Sequence, residues 1–249
     1  MKINGYERLI IQAPDSRKAL QFYTDALQMP LVSPYTVRFP EGKLLTVQDG
    51  GTDRASSFGF THLCIDTCNA DDGWNACLTA GAVPSREDKT PTGDGELYGG
   101  FLRCPGMEEL ELWHVCRGGN KSEPYQPGHL VKALVHAAVT VPDLDAAIAF
   151  YEALGIRLKL HWGWGCSMQL ANRQELELFP GSGVQEQSGL IEVSFAVENA
   201  AAAYETAIAH GGISVEPPQN GRATVLGLGK ERIRFGEGGS IQTVDLFDQ

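Results

Sequence analysis

The chain repeats itself: PDSRKALQFYTDAL (residues 14–27) returns as PDLDAAIAFYEALG (142–155), 128 residues later, each time behind a short apolar run. A sequence that recurs at a fixed offset is assembled from copies of one supersecondary unit, and no copy can bury its apolar face alone. A second pair of segments repeats in the same way. FTHLCIDT leads into ADDGWNACLTAGA, and LIEVSFAV leads into AAAAYETAIAHGG, with Trp74 matching Tyr204 and Gly81 matching Gly211. Short alternating runs follow each strand-helix pair, VRFP then KLLTVQ in the first half and LKLHW then QELELF in the second. The expected plan is therefore four modules, each a strand, a helix and then several strands. Gly81 and the Gly211-Gly212 pair stand where these helices need a left-handed cap.

The halves are predicted to be residues 1–118 and 131–249, each with two modules, joined by a polar Pro- and Gly-bearing linker over 119–130. With 43% apolar residues among 249, the chain has enough to build a substantial core. No apolar run approaches the ~20 residues that span a bilayer, and no secretory signal opens the chain, so a soluble cytoplasmic protein without membrane partners is expected. A formal charge of −11 argues against nucleic acid as a partner, because binders of phosphate backbones carry a basic face. The six cysteines include no C-x-x-C pair and read as reduced, mostly buried thiols.

Strand polarity places the polar residues. In ALVHAAVTV the period of two gives Val135, Ala137, Val139 and Val141 to the helix side, and His136, Ala138 and Thr140 to the other. In GFTHLCID, Leu63 and Ile65 face the helix while His62, Cys64 and Asp66 face away. The closing runs behave alike: EELELW turns Glu109, Glu111 and Trp113 away from the core, and QELELF does so with Glu175 and Glu177. A histidine from an opening strand and a glutamate from a closing strand thus share a face that carries no helix.

Four strand-helix-strands modules, F-Y in the odd helices, His on an opening strand and E-L on a closing one resemble the vicinal oxygen chelate superfamily of glyoxalase I, extradiol dioxygenases and bleomycin-resistance proteins. The resemblance covers nearly the whole chain. It implies an α+β fold of four βαβββ modules paired into two curved eight-stranded sheets, helices on the convex faces, and a concave face that holds a divalent metal or a ligand.

The resemblance also identifies one ligand position on each opening strand and one on each closing strand: Arg8 and Thr46, His62 and Glu111, His136 and Glu177, Glu192 and Asp245. Pairing consecutive modules would set a guanidinium among the ligands of one site and gather three carboxylates around one imidazole in the other. Pairing module two with three and one with four, as in fused two-site glyoxalases, unites His62, Glu111, His136 and Glu177 and leaves Arg8 opposite Glu192 and Asp245. Two imidazoles and two carboxylates neutralise a divalent ion and suit Zn, Ni, Co, Mn or Fe(II). Such an ion acts as a Lewis acid on a substrate carbonyl or enediolate, and Glu111 or Glu177 serves as base toward an alpha proton. Glu109 competes with Glu111 for the ligand role, and Glu175 less strongly with Glu177. His114, His129, His161 and His210 have no matched partner and read as surface or linker residues. Trp162 and Trp164 in HWGWG are candidates for either cleft walls or core packing.

The implied function is a metal-dependent glyoxalase-like isomerase or lyase that takes a small oxygenated substrate through a metal-bound enolate-type intermediate, as a monomer or homodimer. Two alternatives stand beside it, an Fe(II) extradiol-type dioxygenase and a metal-free binding or resistance protein. Thr140 and Gly181, four residues after His136 and Glu177, and Asp66, four after His62, offer no cationic clamp for glutathione. Glu192 stands where the dioxygenases have their second histidine.

Overall fold

The computed structural model describes residues 3–50, 58–85, 90–91, 98–106, 108–114, 130–181 and 189–238. Module one comprises β1 (Ile3–Ala13), α1 (Ser16–Gln21) running on into a π-helical turn at Phe22–Ala26, β2 (Leu31–Ser33), β3 (Thr36–Arg38) and β4 (Leu44–Asp49). Module two comprises β5 (Gly59–Thr67), α2 (Ala70–Thr79), β6 (Val83–Pro84), β7 (Thr90–Pro91), β8 (Tyr98–Arg103) and β9 (Glu109–His114). Module three has β10 (Val131–Val141), α3 (Leu144–Ala153), β11 (Arg157–His161), β12 (Cys166–Gln169) and β13 (Glu175–Pro180). Module four has β14 (Leu190–Val197), α4 (Ala200–Ala209), β15 (Ile213–Gln219), β16 (Arg222–Leu226) and β17 (Arg232–Glu237).

Each helix starts on the same local device. Asp15, Asn69, Asp143 and Asn199 leave their strands in extended conformation and accept a hydrogen bond from the backbone N–H three residues on, at 2.9, 3.1, 3.0 and 2.8 Å. An Asx side chain satisfies a donor that the first helical turn otherwise leaves orphaned. The helices end where glycine relieves the left-handed turn, at Gly81 (φ 94°), Gly155 (φ 84°) and Gly211 (φ 99°).

The modules pair across the two halves of the chain. One sheet has the order β15-β16-β17-β14-β1-β4-β3-β2, and the other β11-β12-β13-β10-β5-β9-β8-β6 with the two-residue β7 added against β8. The opening strands meet antiparallel, β1 on β14 and β5 on β10, while each closing strand lies parallel to its own opening strand. Consequently modules two and three share one sheet and modules one and four the other.

One apolar core lies between the sheets and their helices. Leu9, Ile11, Leu63, Ile65, Ala137, Val139, Val193 and Phe195 all belong to it, as strand alternation requires. Leu134 takes the core place expected for Val135, because a register shift between Leu134 and His136 moves the alternation by one. Tyr6 stacks on Phe195 at 5.2 Å and crosses to the other sheet, where its hydroxyl donates to Glu175 O (2.8 Å) and accepts from Ala137 N (3.3 Å). Tyr6→Phe therefore strands a buried N–H and a carbonyl, and should lower the unfolding free energy by about 1–3 kcal/mol. A urea midpoint unchanged from the wild type would refute that bridge.

The closing strand of module four corrects one expectation. Asp245 lies outside the described residues, and the strand parallel to β14 is β17, whose register puts Ser194 opposite Arg234. Arg234 holds the place assigned to Asp245, since it stands to Ser194 as Glu111 stands to Cys64. Cys116 and His129 also lie outside the described residues.

Candidate metal centre

His62 on β5 and His136 on β10 sit on antiparallel neighbours, two residues out of register, and both rings turn to the face without helices. Their Nε2 atoms approach to 3.2 Å. Glu111 on β9 brings Oε2 to 3.1 Å from His136 Nε2 and 3.5 Å from His62 Nε2. Glu177 on β13 comes to 3.6 Å from His136 Nε2. His62, Glu111 and His136 form a compact cluster whose ligand atoms lie within 4.8 Å of one another, and all three residues are buried. The parallel pairing of each closing strand with its opening strand produces this convergence, since Cys64 faces Glu111 and Ala138 faces Glu177 across the ladder.

The spacing of these donors fits an ion. Metal-ligand bonds of about 2.0–2.1 Å in tetrahedral geometry put neighbouring donors roughly 3.3 Å apart, and the three separations among His62, Glu111 and His136 run from 3.1 to 3.5 Å, with Glu177 at 3.6 Å from His136 outside this compact trio. Adjacent groups orient the donors. Thr61 Oγ1 lies 3.1 Å from His62 Nδ1, and Trp113 Nε1 donates to Glu111 Oε1 at 2.6 Å, which leaves Oε2 directed at the imidazoles. Trp113 also sets its ring edge-on to His136, with centroids 5.7 Å apart.

Charge divides the two carboxylates. Burial pushes Glu111 up, but hydrogen bonds and charge from His136 and His62 outweigh it and hold the carboxyl well below its ordinary range. Burial also raises Glu177, only partly countered by His136 and reinforced by the negative charge of Glu111. His62 is lowered by burial despite Glu111, whereas His136, equally buried, is raised because Glu111 and Glu177 together exceed the desolvation cost.

Glu109 and Glu175, the rivals on the same strands, are engaged elsewhere. Glu109 Oε1 accepts from Ser85 Oγ at 2.7 Å, and Glu175 is bound by Lys159 and Ser167. His161 and His210 lie on the exposed surface, the latter against Thr206 O at 2.9 Å.

A cleft of about 600 Å³ opens over the cluster, walled by Phe101, Trp113, Trp162, Trp164 and Phe179, with His62, Glu111 and Glu177 at its floor. Trp164 stacks on Phe179 with centroids 5.7 Å apart and planes 15° apart, and Trp162 lies 5.5 Å from Trp164. The HWGWG motif is thus a cleft wall, with Trp164 67% exposed. No lysine or arginine lines the cleft among the described residues. Sequence reading gave Trp113 its face but no role, and missed Phe101 and Phe179 entirely. Alternation alone could have found Phe179, two residues beyond Glu177 on the same face.

Residues 133–227 match the family model described as Glyoxalase/Bleomycin resistance protein/Dioxygenase superfamily. No curated protein matches the chain by sequence. Among solved structures, glyoxalase I from Zea mays is similar with a TM-score of 0.69 at 18% identity, covering 95% of this chain and 93% of that one. A mutant of the same maize enzyme gives a TM-score of 0.73 at 18% identity, over 95% and 93% of the two chains. A putative dioxygenase from Bacillus subtilis gives 0.69 at 12% identity, over 95% and 86%. At these identities the structures speak for the fold of the whole chain, and the family match speaks for residues 133–227. The chain has the four-module fold of these structures, and its segment 133–227 matches the Glyoxalase/Bleomycin resistance protein/Dioxygenase superfamily model.

Proposed function

We propose that the protein is a divalent-metal-dependent, glyoxalase-like enzyme of isomerase or lyase type that acts on a small oxygenated substrate. The observation that carries this reading is the donor set beneath an aromatic cleft: His62, Glu111 and His136 spaced 3.1–3.5 Å apart, with Glu177 3.6 Å from His136. These four residues would hold Zn, Ni, Co, Mn or Fe(II). When bound, the ion supplies Lewis-acid polarisation of a substrate oxygen.

The protein's own groups then divide the work. Glu111 is fixed at both ends, by Trp113 at Oε1 and by two imidazoles at Oε2, so it stays in place as an anion. Glu177 has a single long contact, 3.6 Å to His136, and opens on the cleft. Glu177 is therefore the base that takes a proton from the carbon alpha to the substrate carbonyl and returns it to the neighbouring carbon. The aromatic walls exclude water and present flat apolar surface, and with no cation among the described lining residues the cleft favours a substrate without several carboxylates.

Two measurements test the reading. Protein purified without chelator, or reconstituted with each ion, should hold one divalent ion per chain by elemental analysis; no stoichiometric ion with any of them overturns it. Glu177→Gln should keep that ion yet lose solvent-deuterium exchange into α-hydroxycarbonyl compounds by about 10²–10⁴-fold, the usual contribution of a positioned base.

One observation favours a second reading. His62, His136 and Glu111 alone form the compact cluster, a two-His, one-carboxylate set of the sort that non-haem Fe(II) oxygenases use. An aromatic cleft also suits a catechol ring. Oxygen uptake with catechols by the Fe(II)-loaded protein, absent with the Zn form, would favour ring cleavage over isomerisation.

A further inference from the structure

The two sheets are equivalent, so the metal-cluster positions have counterparts on the other inner face. In one sheet, His136, Cys64 and Glu111 lie in register across β10, β5 and β9. In the other, Arg8, Ser194 and Arg234 lie in register across β1, β14 and β17. Glu192, two residues before Ser194, corresponds to His62, and Thr46, opposite Ile10, corresponds to Glu177. Every residue type has changed. Where one face offers two imidazoles and two carboxylates, the other offers two guanidiniums, a carboxylate and a hydroxyl.

From this juxtaposition we infer that the inner face of the β1–β14 sheet is a binding site for a small-molecule oxyanion, a carboxylate or phosphate group, held by Arg8, Ser194 and Arg234. Two guanidiniums repel a divalent cation, while their forked donors match a planar or tetrahedral oxyanion. On this face Arg8, Arg222, Arg232 and Arg234 outnumber Glu7, Glu192 and Glu216, in a chain whose formal charge is −11. Arg8 is 4% exposed, and its neighbours include two further arginines, Arg234 and Arg222, as well as Glu7 and Glu192.

Unused donors mark the place. Ser194 Oγ is buried, in a residue 1% exposed, and has no hydrogen-bond partner among the described residues. Arg234 Nε lies 3.1 Å from Glu192 Oε1, within ion-pair reach but off the angle of a hydrogen bond, so this buried donor also lacks an acceptor. Arg232, in contrast, donates well to Glu192 (2.7 Å) and Glu216 (2.6 Å). A buried hydroxyl with no hydrogen-bond partner among the described residues, beside an Nε–H that makes only a poorly aligned ion pair on the adjacent strand, is costly to leave so and is satisfied by one bound oxyanion. Arg234 and Arg232, with side chains 18% and 32% exposed, form the solvent side through which it enters.

The test is calorimetric titration of the metal-loaded full chain with inorganic phosphate and with acetate, which does not chelate, at low ionic strength. Saturable binding of either at one site per chain is expected, and phosphate against acetate tells a phosphoester ligand from a carboxylate one. Arg234→Gln should weaken it by about 10–100-fold, the equivalent of one charge-assisted hydrogen bond, and Ser194→Ala, which removes only the hydroxyl, by several-fold. His62→Ala, on the opposite sheet, should leave it unaltered. Absence of saturable binding at millimolar probe, binding indifferent to both Arg234→Gln and Ser194→Ala, or binding lost in His62→Ala overturns the proposal. Because Ser194→Ala removes no charge, it keeps the test decisive if Arg234→Gln fails to fold.

Discussion

Glu111→Gln is expected to lower divalent-ion affinity by at least about 100-fold, more than removal of an outer-shell partner costs. Among the described contacts, Glu111 alone touches both imidazoles, and its carboxylate lies between two rings whose Nε2 atoms are 3.2 Å apart. An amide keeps the shape and loses the charge, so the ion would face two neutral rings and one remaining carboxylate. Trp113 should hold the replacement in position through its Nε1–H, which makes the loss a matter of charge rather than geometry. Burial opposes a charge on His136, but Glu111 first and Glu177 next raise it, so the ion-free centre retains a proton that the ion must displace. Ion affinity of the wild type should therefore rise with pH until that proton is gone. In Glu111→Gln the pH dependence should be shallower as well as the affinity weaker. Competition titration with a chromophoric chelator at several pH values would measure both, and an unchanged affinity would remove Glu111 from the site.

The second large effect lies outside the lining of the cleft, in a pair of buried carboxyls that the repeat explains. Tyr151 on α3 donates to Glu231 at 2.5 Å, and its counterpart Tyr23 donates to Glu108 at 2.6 Å. Each glutamate precedes the closing strand of an even module, so each tyrosine of the F-Y motif ties an odd module to the opposite sheet. Burial raises Glu231 from 4.5 to about 7, offset in part by the Tyr151 hydroxyl and by backbone N–H groups; Glu108 is also raised by burial. A carboxyl whose folded-state pKa is raised contributes fully to stability below its unfolded value, and that contribution fades as pH rises through the folded value. Across pH 4.5 to 7 the Glu231 contribution should fall by roughly 3 kcal/mol, at about 1.4 kcal/mol per pH unit. Glu231→Gln keeps an acceptor for Tyr151 without a charge, and should be the more stable form at pH 8 by an amount of that order. Urea unfolding of both proteins at pH 5 and pH 8 checks this. Parallel pH profiles would show that Glu231 does not titrate in this window.

Much of this architecture was legible in the sequence because the repeat supplies its own comparison. Periodicity of two put His62, His136, Glu111 and Glu177 on the helix-free faces, and the structure finds them there. The rivalry between Glu109 and Glu111 was beyond alternation, since both point the same way. Register aligns Cys64 with Glu111, two residues beyond His62, and so brings the Glu111 carboxylate to the imidazoles. The error at Asp245 has the same origin: module four closes on β17, whose RIRF pattern alternates like the other closing strands but carries arginine where they carry glutamate.

The amino-acid sequence by itself determined the number of modules, their strand and helix order, and which side chains leave the core, because these follow from local alternation and caps. The pairing of module two with three and of one with four was already implied by the ligand sets of the resembled family, and the sheets have it. Only the tertiary structure decided the strand register and which strand closes module four, since these are set by long-range burial that no local pattern records. That register brings two imidazoles and a carboxylate together on one face and sets two arginines in line with a buried serine on the other.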